Sequence, residues 1–433
     1  MRSEQGGTSQ AAAVRPLARE NPDETSRVFT RPPQKPPPQI GGALTVTLVR
    51  SLDELRDHRL ELEDLAGDSL ERNVFYEPIL AEPAVRSFGA GKQLEFVLVY
   101  RAEPSAPGRA PQLCGFFPFE RTMHYRGLPV TALTSFKHLH CFLCTPLIRL
   151  NGASQTFAMA LDWLVAQSGA TLVELGSIGA EGPVHQLLVQ ELQARRRPFW
   201  LRNWSTRAFF EPSADADAER YLHGAISGLA LKEVRRKERR LREQGRLAWR
   251  ELDLAEDARP WLEAFLRLEA SGWKGRGRSA LACNAPEREF FVSAATAAHA
   301  RGRLMLLGLF LDDRPLALKC NFMTGDGGFA FKIAFDEAYR GFSPGFLLEI
   351  ENIRRLHRRT DIRWIDSCAD AQHAMINRLW PGRRTMATVL FGTGRAPGDL
   401  LVSLMPLVRW GRRTLAWPSR AGARAETPEG DSA

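Results

Sequence analysis

The 433-residue chain lacks any run of about 18 apolar residues, and no apolar core follows a basic start, so neither a helical membrane span nor a secretory leader is expected. Cysteine is scarce: six thiols, at 114, 141, 144, 283, 320 and 368, are dispersed mostly within apolar runs. That excludes a disulfide-built scaffold and reads as reduced core thiols of a cytoplasmic protein. Only Cys141 and Cys144 stand close together, in His138-Leu139-His140-Cys141-Phe142-Leu143-Cys144. No second ligand pair follows at a zinc-site spacing, so packing is the expected role and no metal is expected. Tyrosine is scarce as well, with Tyr339 the only one after Tyr221. Acidic residues fall short of basic ones, 50 against 59, and the net charge of +9 suits an anionic partner: a nucleotide cofactor, nucleic acid or a membrane surface. Neither an aromatic platform nor a recognised RNA module accompanies the charge, so nucleic acid is the least favoured of the three.

What is present begins with a Ser-, Gln-, Arg- and Pro-rich stretch over 1–42 with almost nothing to build a core, expected to be a disordered tail. A first series of elements follows over 43–212. Strands are expected at Leu44-Val49, Leu94-Tyr100, Leu113-Phe119, Thr171-Ile178 and Trp200-Phe210, and helices after Ser51-x-x-Glu54, near Gln155-Gln167 and at His185-Arg195. The small acidic segment Glu211-Asp217 reads as a boundary. A second series runs over 218–395: a basic helix at Leu229-Glu243, a strand at Leu247-Leu252, helices at Arg259-Ala270 and Pro286-Ala300, then strands at Leu304-Leu311 and Pro315-Met323. The tail over 396–433 contains LLVSLMPLVRWGRRTLAW at 400–417. It is expected to pack on the second series, with a peripheral membrane contact as the sharper reading, because Trp410 and Trp417 stand among arginines and apolar residues.

The chain is organised around 329–349, FAFKIAFDEAYRGFSPGFLLE: a strand ending near Phe335, a turn with Asp336, Glu337 and Arg340, then Ser343-Pro344-Gly345 opening a helix. A strand running into a helix N-terminus aims free backbone N–H groups at one spot, an anion site in outline. Arg340-Gly341-Phe342-Ser343-Pro344-Gly345 resembles the pyrophosphate loop of acetyl-CoA-dependent acyltransferases of the GNAT superfamily, with Ser343 where the middle Gly is usual. The wider set of Leu268-Glu269, Gly272-Trp273-Lys274-Gly275, Phe290-Phe291, Phe331-Lys332, Asp336-Glu337, Asp366-Ser367-Cys368-Ala369 and His373-x-Met375-Ile376 is similar to the bacterial CelD/BcsL acyltransferases. That family has a BioF2-like acetyltransferase domain within the GNAT superfamily and is associated with cellulose and exopolysaccharide biosynthesis. A more distant likeness is to the FemABX transferases.

The resemblance implies a mixed α/β (α+β) fold of two tandem GNAT-like domains, 43–212 and 218–395, with catalysis in the second. It also implies direct acyl transfer from acetyl-CoA or another acyl-CoA to an amine or hydroxyl of a sugar or cell-envelope precursor. Such transfer needs positioning, a base and donors for the thioester oxygen, but no protein nucleophile. Asp336 is the first candidate base, with Asp366 and His373 next; both aspartates are expected at the ends of adjacent parallel strands, facing one crevice. Arg340, Gly341, Ser343 and Gly345 are the candidates for holding the cofactor. Glu269, Trp273 and Lys274 suit an acceptor loop, and Lys332 is expected on the strand face opposite Phe331 and Ile333. Cys368 is expected to be a wall thiol. The basic helix carries eight Lys/Arg against three Glu between 231 and 246, a cationic face over a narrow apolar stripe. Two other readings remain: an aminoacyl-tRNA-dependent transferase that recruits this helix, and a non-catalytic scaffold that binds polysaccharide or membrane.

Overall fold

The computed structural model describes residues 42–102, 110–212 and 217–414. The expected tail over 1–42 lies almost wholly outside them, as does Trp417; the boundary at 211–217 is described only at its two ends.

Local sequence sets the first elements. Ser51 caps a helix over Leu52–Asp57 by accepting the Glu54 amide at 3.2 Å, and the Glu54 carboxylate accepts the Arg50 amide at 3.0 Å, so two otherwise orphaned donors are satisfied. Among the described residues thirteen strands follow the chain order Leu44–Val49 (β1), Gln93–Arg101 (β2), Gln112–Thr122 (β3), Ala132–Ser135 (β4), Leu147–Ile148 (β5), Leu172–Gly179 (β6), Phe199–Phe210 (β7), Leu247–Glu251 (β8), Leu304–Leu311 (β9), Arg314–Thr324 (β10), Gly327–Phe335 (β11), Trp364–Asp366 (β12) and Gly382–Gly392 (β13). Strand β9, LMLLGLFL, is buried at every position, because helices cover both faces of the sheet there and leave no solvent side to call for polar residues.

All thirteen belong to one sheet, in the order β1-β2-β3-β4-β6-β13-β7-β12-β11-β10-β9-β8, with β5 paired to β3. Each half repeats one plan: four antiparallel strands, then a parallel neighbour, β4 to β6 in the first half and β11 to β12 in the second. The closing strands change places. Strand β7, the end of the first half, pairs with β12 of the second, while β13, the end of the chain, pairs with β6 of the first. The two series therefore share one continuous sheet joined through exchanged strands.

The helices form layers on that sheet. Pro78–Phe88 and Ala285–His299, from opposite halves, share one core with Phe96, Phe116, Phe322 and Phe331. On the other face, the helices Gly228–Arg242 and Pro344–Arg358 cover Met305, Leu307, Leu309 and Leu316. The terminal helix Ala396–Thr414 buries Val402 against Ala132, Leu172 and Leu390. It therefore lies on the joint between the halves, not on the second half alone as the sequence suggests.

Candidate active site

The site begins as a gap in the sheet. Strand β11 pairs with β10 along its length to Phe335, but its ladder with β12 covers only Gly327 to Phe329. Beyond Phe329, residues 330–335 present a backbone edge to that gap, with amide and carbonyl groups that a ligand or water must satisfy. Gly327 permits the close approach on the paired side: a Cβ there would stand 2.0 Å from the Trp364 ring. A bulge interrupts β10 and β11 where Cys320 faces Lys332 and Asn321 faces Ala330, so Phe331 is the extra residue. Its backbone leaves the ladder, and the side-chain alternation resets.

Past the end of β11, a 3-10 turn over Glu337–Phe342 leads into the helix Pro344–Arg358. Ser343 joins them at φ 52° and ψ 53°, the left-handed conformation that costs a residue with a Cβ about 1 kcal/mol and explains why glycine is usual there. Its hydroxyl accepts from Lys237 Nζ at 2.8 Å, and the Arg240 guanidinium lies 5.9 Å from the Phe342 ring. The basic helix thus turns two of its cations onto this helix N-terminus. Arg340 and Gly341 are exposed beside it, and a Cβ on Gly345 would meet nothing closer than Phe335 at 3.4 Å. A fifteen-residue helix whose dipole ends among cations suits an anion such as the pyrophosphate of a CoA ester. The four residues expected to hold the cofactor are brought together here, and Lys237 and Arg240 join them; their run of charge is visible in the sequence, their direction is not.

On the opposite face of β11 lies a buried ion cluster. Glu269 Oε1 accepts from Lys274 Nζ at 3.2 Å and Lys332 Nζ at 3.5 Å, and its Oε2 accepts the Leu281 amide at 2.9 Å. Beside them, His140 Nε2 and Glu287 Oε2 are 2.8 Å apart, and the His140 ring sits edge-on to Phe331, centroids 5.9 Å apart. Burial lowers the pKa of Lys332, against the opposing pull of Glu269; burial also lowers that of His140, helped by the Lys332 charge. Lys332 is not opposite Phe331 as strict alternation predicts. The bulge restores Ile333 and Phe335 to the helix-N-terminal side while Phe331 and Lys332 both face the cluster. The expected acceptor residues are also in place: Trp273 is 60% exposed with Lys274 Nζ 5.9 Å from its ring, and the Trp273 amide and Arg276 side chain both bond to Glu337, which pins their loop to the turn after β11.

The three candidate bases are not brought together. Asp366 pairs with Phe329 on the neighbouring strand, seven residues before Asp336, so the two carboxylates stand roughly 20 Å apart along the sheet. Asp336 caps the turn through the Ala338 amide at 3.0 Å and pairs with Arg314. His373 is exposed and caps Ala374–Leu379 by accepting the Ile376 amide at 3.4 Å. Asp366 is fully buried between Arg207 Nη2 at 2.7 Å and Arg384 Nη1 at 3.0 Å, and it also accepts the Cys368 amide at 3.0 Å. Burial pushes this carboxyl upward, but the two guanidinium charges outweigh it and hold the group below the usual range. With β13, β7 and β12 adjacent in the sheet, Asp366 is the electrostatic tie between the exchanged strands. Burial next to Asp366 raises the Cys368 thiol, which keeps it protonated and suits a wall residue.

Cys141 and Cys144 lie in the core, sulfurs 3.7 Å apart, and among the described residues no group of three His, Cys, Asp or Glu could hold a metal ion. His138 stacks on Phe88 at 4.5 Å, and burial pulls its pKa down to about 3. Between about 6.5 and 3 the unfolded chain binds a proton that His138 refuses in the folded one. The stability penalty is absent above about 6.5 and grows as pH falls, by at most about 1.4 kcal/mol per pH unit. Urea unfolding from pH 7 to pH 4 checks this; His138→Phe, which keeps a stacked ring, is expected to flatten the slope.

Residues 230–374 match the sequence model of the family described as an acetyltransferase (GNAT) domain, a span that starts in the basic helix and includes the gap, the helix N-terminus and the ion cluster. No curated protein matches the chain. Among solved structures, FemX is similar with a TM-score of 0.52 at 11% identity, over 80% of this chain and 98% of that one. The C-terminal DUF2156 domain of a putative lysylphosphatidylglycerol synthetase from Agrobacterium fabrum is similar at 0.47, 10% identity, and 82% and 96% coverage. A tandem GNAT protein from the clavulanic acid biosynthesis pathway is similar at 0.40, 12% identity, and 82% and 99% coverage. The likeness to FemX is one of fold. Taken with the repeated strand plan, it shows a chain with a tandem GNAT-like fold; the match of residues 230–374 to an acetyltransferase (GNAT) domain supports an acyltransferase enzyme.

Proposed function

We propose that the protein transfers an acyl group from acyl-CoA to an amine or hydroxyl of a sugar or cell-envelope precursor, as in the CelD/BcsL acyltransferases its motifs resemble. The observation that carries the reading is the open edge of β11 at 330–335, placed between a cation-flanked helix N-terminus on one face and the Glu269-Lys332 cluster on the other. The CoA pyrophosphate meets the N-terminus at Ser343 to Gly345, with Lys237, Arg240 and Arg340 as counter-charges. The pantetheine arm runs along the β11 edge, whose backbone beyond the β12 ladder offers donors to the thioester oxygen. The acceptor enters over Trp273, whose exposed ring suits a sugar face. Its nucleophile attacks the thioester carbon and bonds to the acyl group, the C–S bond breaks and CoA leaves as the thiolate, and Lys332 takes the nucleophile's proton. Lys332 thereby takes the place that the sequence alone gives to Asp336, Asp366 and His373.

Acetyl-CoA binding by calorimetry tests the cofactor end, comparing wild type with Gly345→Glu, which sets a carboxylate where the phosphates belong. We expect wild-type binding and at least about tenfold loss in the folded variant, or about 1.4 kcal/mol. Equal binding by both would remove the site. No binding by the wild type, with binding of aminoacyl-tRNA through the basic helix instead, would transfer the reading to an aminoacyl donor.

A further inference from the structure

We propose that the protein docks on an anionic lipid surface through the terminal helix Ala396–Thr414 and the adjoining 123–130 turn. The helix has two faces. Leu401, Val402 and Met405 pack with Tyr125, Val130 and Leu390, whereas Leu400, Leu404 and Leu407, at spacings of four and three, are 60%, 40% and 62% exposed. The turn packed against that helix behaves alike: Tyr125 and Val130 face the core, while Met123 and Leu128 are 56% and 43% exposed. Single exposed hydrophobic residues are ordinary. Here, among the described residues, two elements that share one small core hold five of the eleven exposed large hydrophobic side chains.

Charge selects the occupant. Between Leu400 and Thr414, and again between Arg121 and Thr131, the sequence has no acidic residue. It supplies Arg409, Arg412 and Arg413 in the first segment and Arg126 in the second, where Arg121 is already paired with Glu95. Exposed leucines beside arginines, with no carboxylate between, match a bilayer surface of acyl chains under anionic headgroups. A second copy of this chain would bring the same cations against each other. No helix among the described residues is long and apolar enough to cross a membrane, so the contact is peripheral.

The test is co-sedimentation of the full chain with vesicles of equal parts phosphatidylcholine and phosphatidylglycerol, and with phosphatidylcholine alone. Wild type is expected to sediment with the anionic vesicles and to be released by high salt. Leu404→Glu/Leu407→Glu and, independently, Met123→Glu/Leu128→Glu are each expected to weaken binding at least about tenfold. Leu254→Glu, an exposed leucine on another element, should bind as wild type does. Failure of wild type to bind, binding that ignores the anionic lipid, or unchanged binding by Leu404→Glu/Leu407→Glu would overturn the proposal. So would a lipid-free dimer in ultracentrifugation that the same variant splits, because the face would then belong to self-association.

Discussion

Replacing Lys332 with Met is expected to lower kcat/KM by about 10²- to 10⁴-fold, the usual contribution of a positioned general base. The reason lies in three facts that act together. The bulge aims Lys332 at the face where the acceptor enters, burial lowers its pKa from the ordinary lysine value, and Glu269 holds the amine in place at 3.5 Å. Lys332→Arg separates chemistry from architecture. An arginine can keep the ion pair with Glu269, yet its guanidinium never gives up a proton at working pH, so a base is not restored while a structural role would be. Wild-type activity in Lys332→Arg would end the assignment. The pH profile carries a second sign. A base works deprotonated, so kcat/KM rises with pH through the Lys332 pKa. Glu269 raises that pKa by charge and hydrogen bond, so Glu269→Gln should move the rising limb to lower pH.

Asp366→Ala is expected to destabilise the fold by about 3–5 kcal/mol, the effect of removing one partner from a buried ion pair. Arg207 and Arg384 are directly opposite one another across β7 and β13, like charges that a sheet disfavours, and the Asp366 carboxylate is what reconciles them. Without it, the buried Arg207 and the part-buried Arg384 face each other where the halves exchange strands. Urea unfolding at pH 7 should therefore report a lower midpoint for Asp366→Ala. His373→Ala, which removes only a helix cap on an exposed residue, should change it far less. Acid has the same direction of effect. The group is held below the usual carboxylate range in the folded chain, so its contribution is complete above the unfolded value of about 4 and is lost as pH falls below that. A folded Asp366→Ala with unchanged stability but no activity would return this residue to the list of candidate bases.

Much of the secondary structure is legible because it depends on near neighbours. The strand over Leu44–Val49, the Ser51 cap, the basic helix and the run of strands from Leu304 are all set by periodicity, capping residues and turn signals within a few positions. The helix that opens at Pro344 belongs to the same class, since its N-terminal proline and its dipole follow from local geometry alone. Strand β13 is not foreseen: GRRTMATVLFG opens on charged residues, and the partners of Arg384, Asp366 and Glu71, are distant in the chain.

By itself the sequence determined the class of fold, the order of elements, the position of the turn that opens the Pro344 helix and the surplus of positive charge, all of which rest on local pattern and composition. Tertiary structure alone decided that the last strands of the halves change places, that Asp366 serves their joint, and that His140 of the first half meets Glu287 of the second. It also decided where Lys332 points, because a single extra residue in β11 reverses the face of everything beyond it, and the pairing that forces that residue out involves β10 as much as β11.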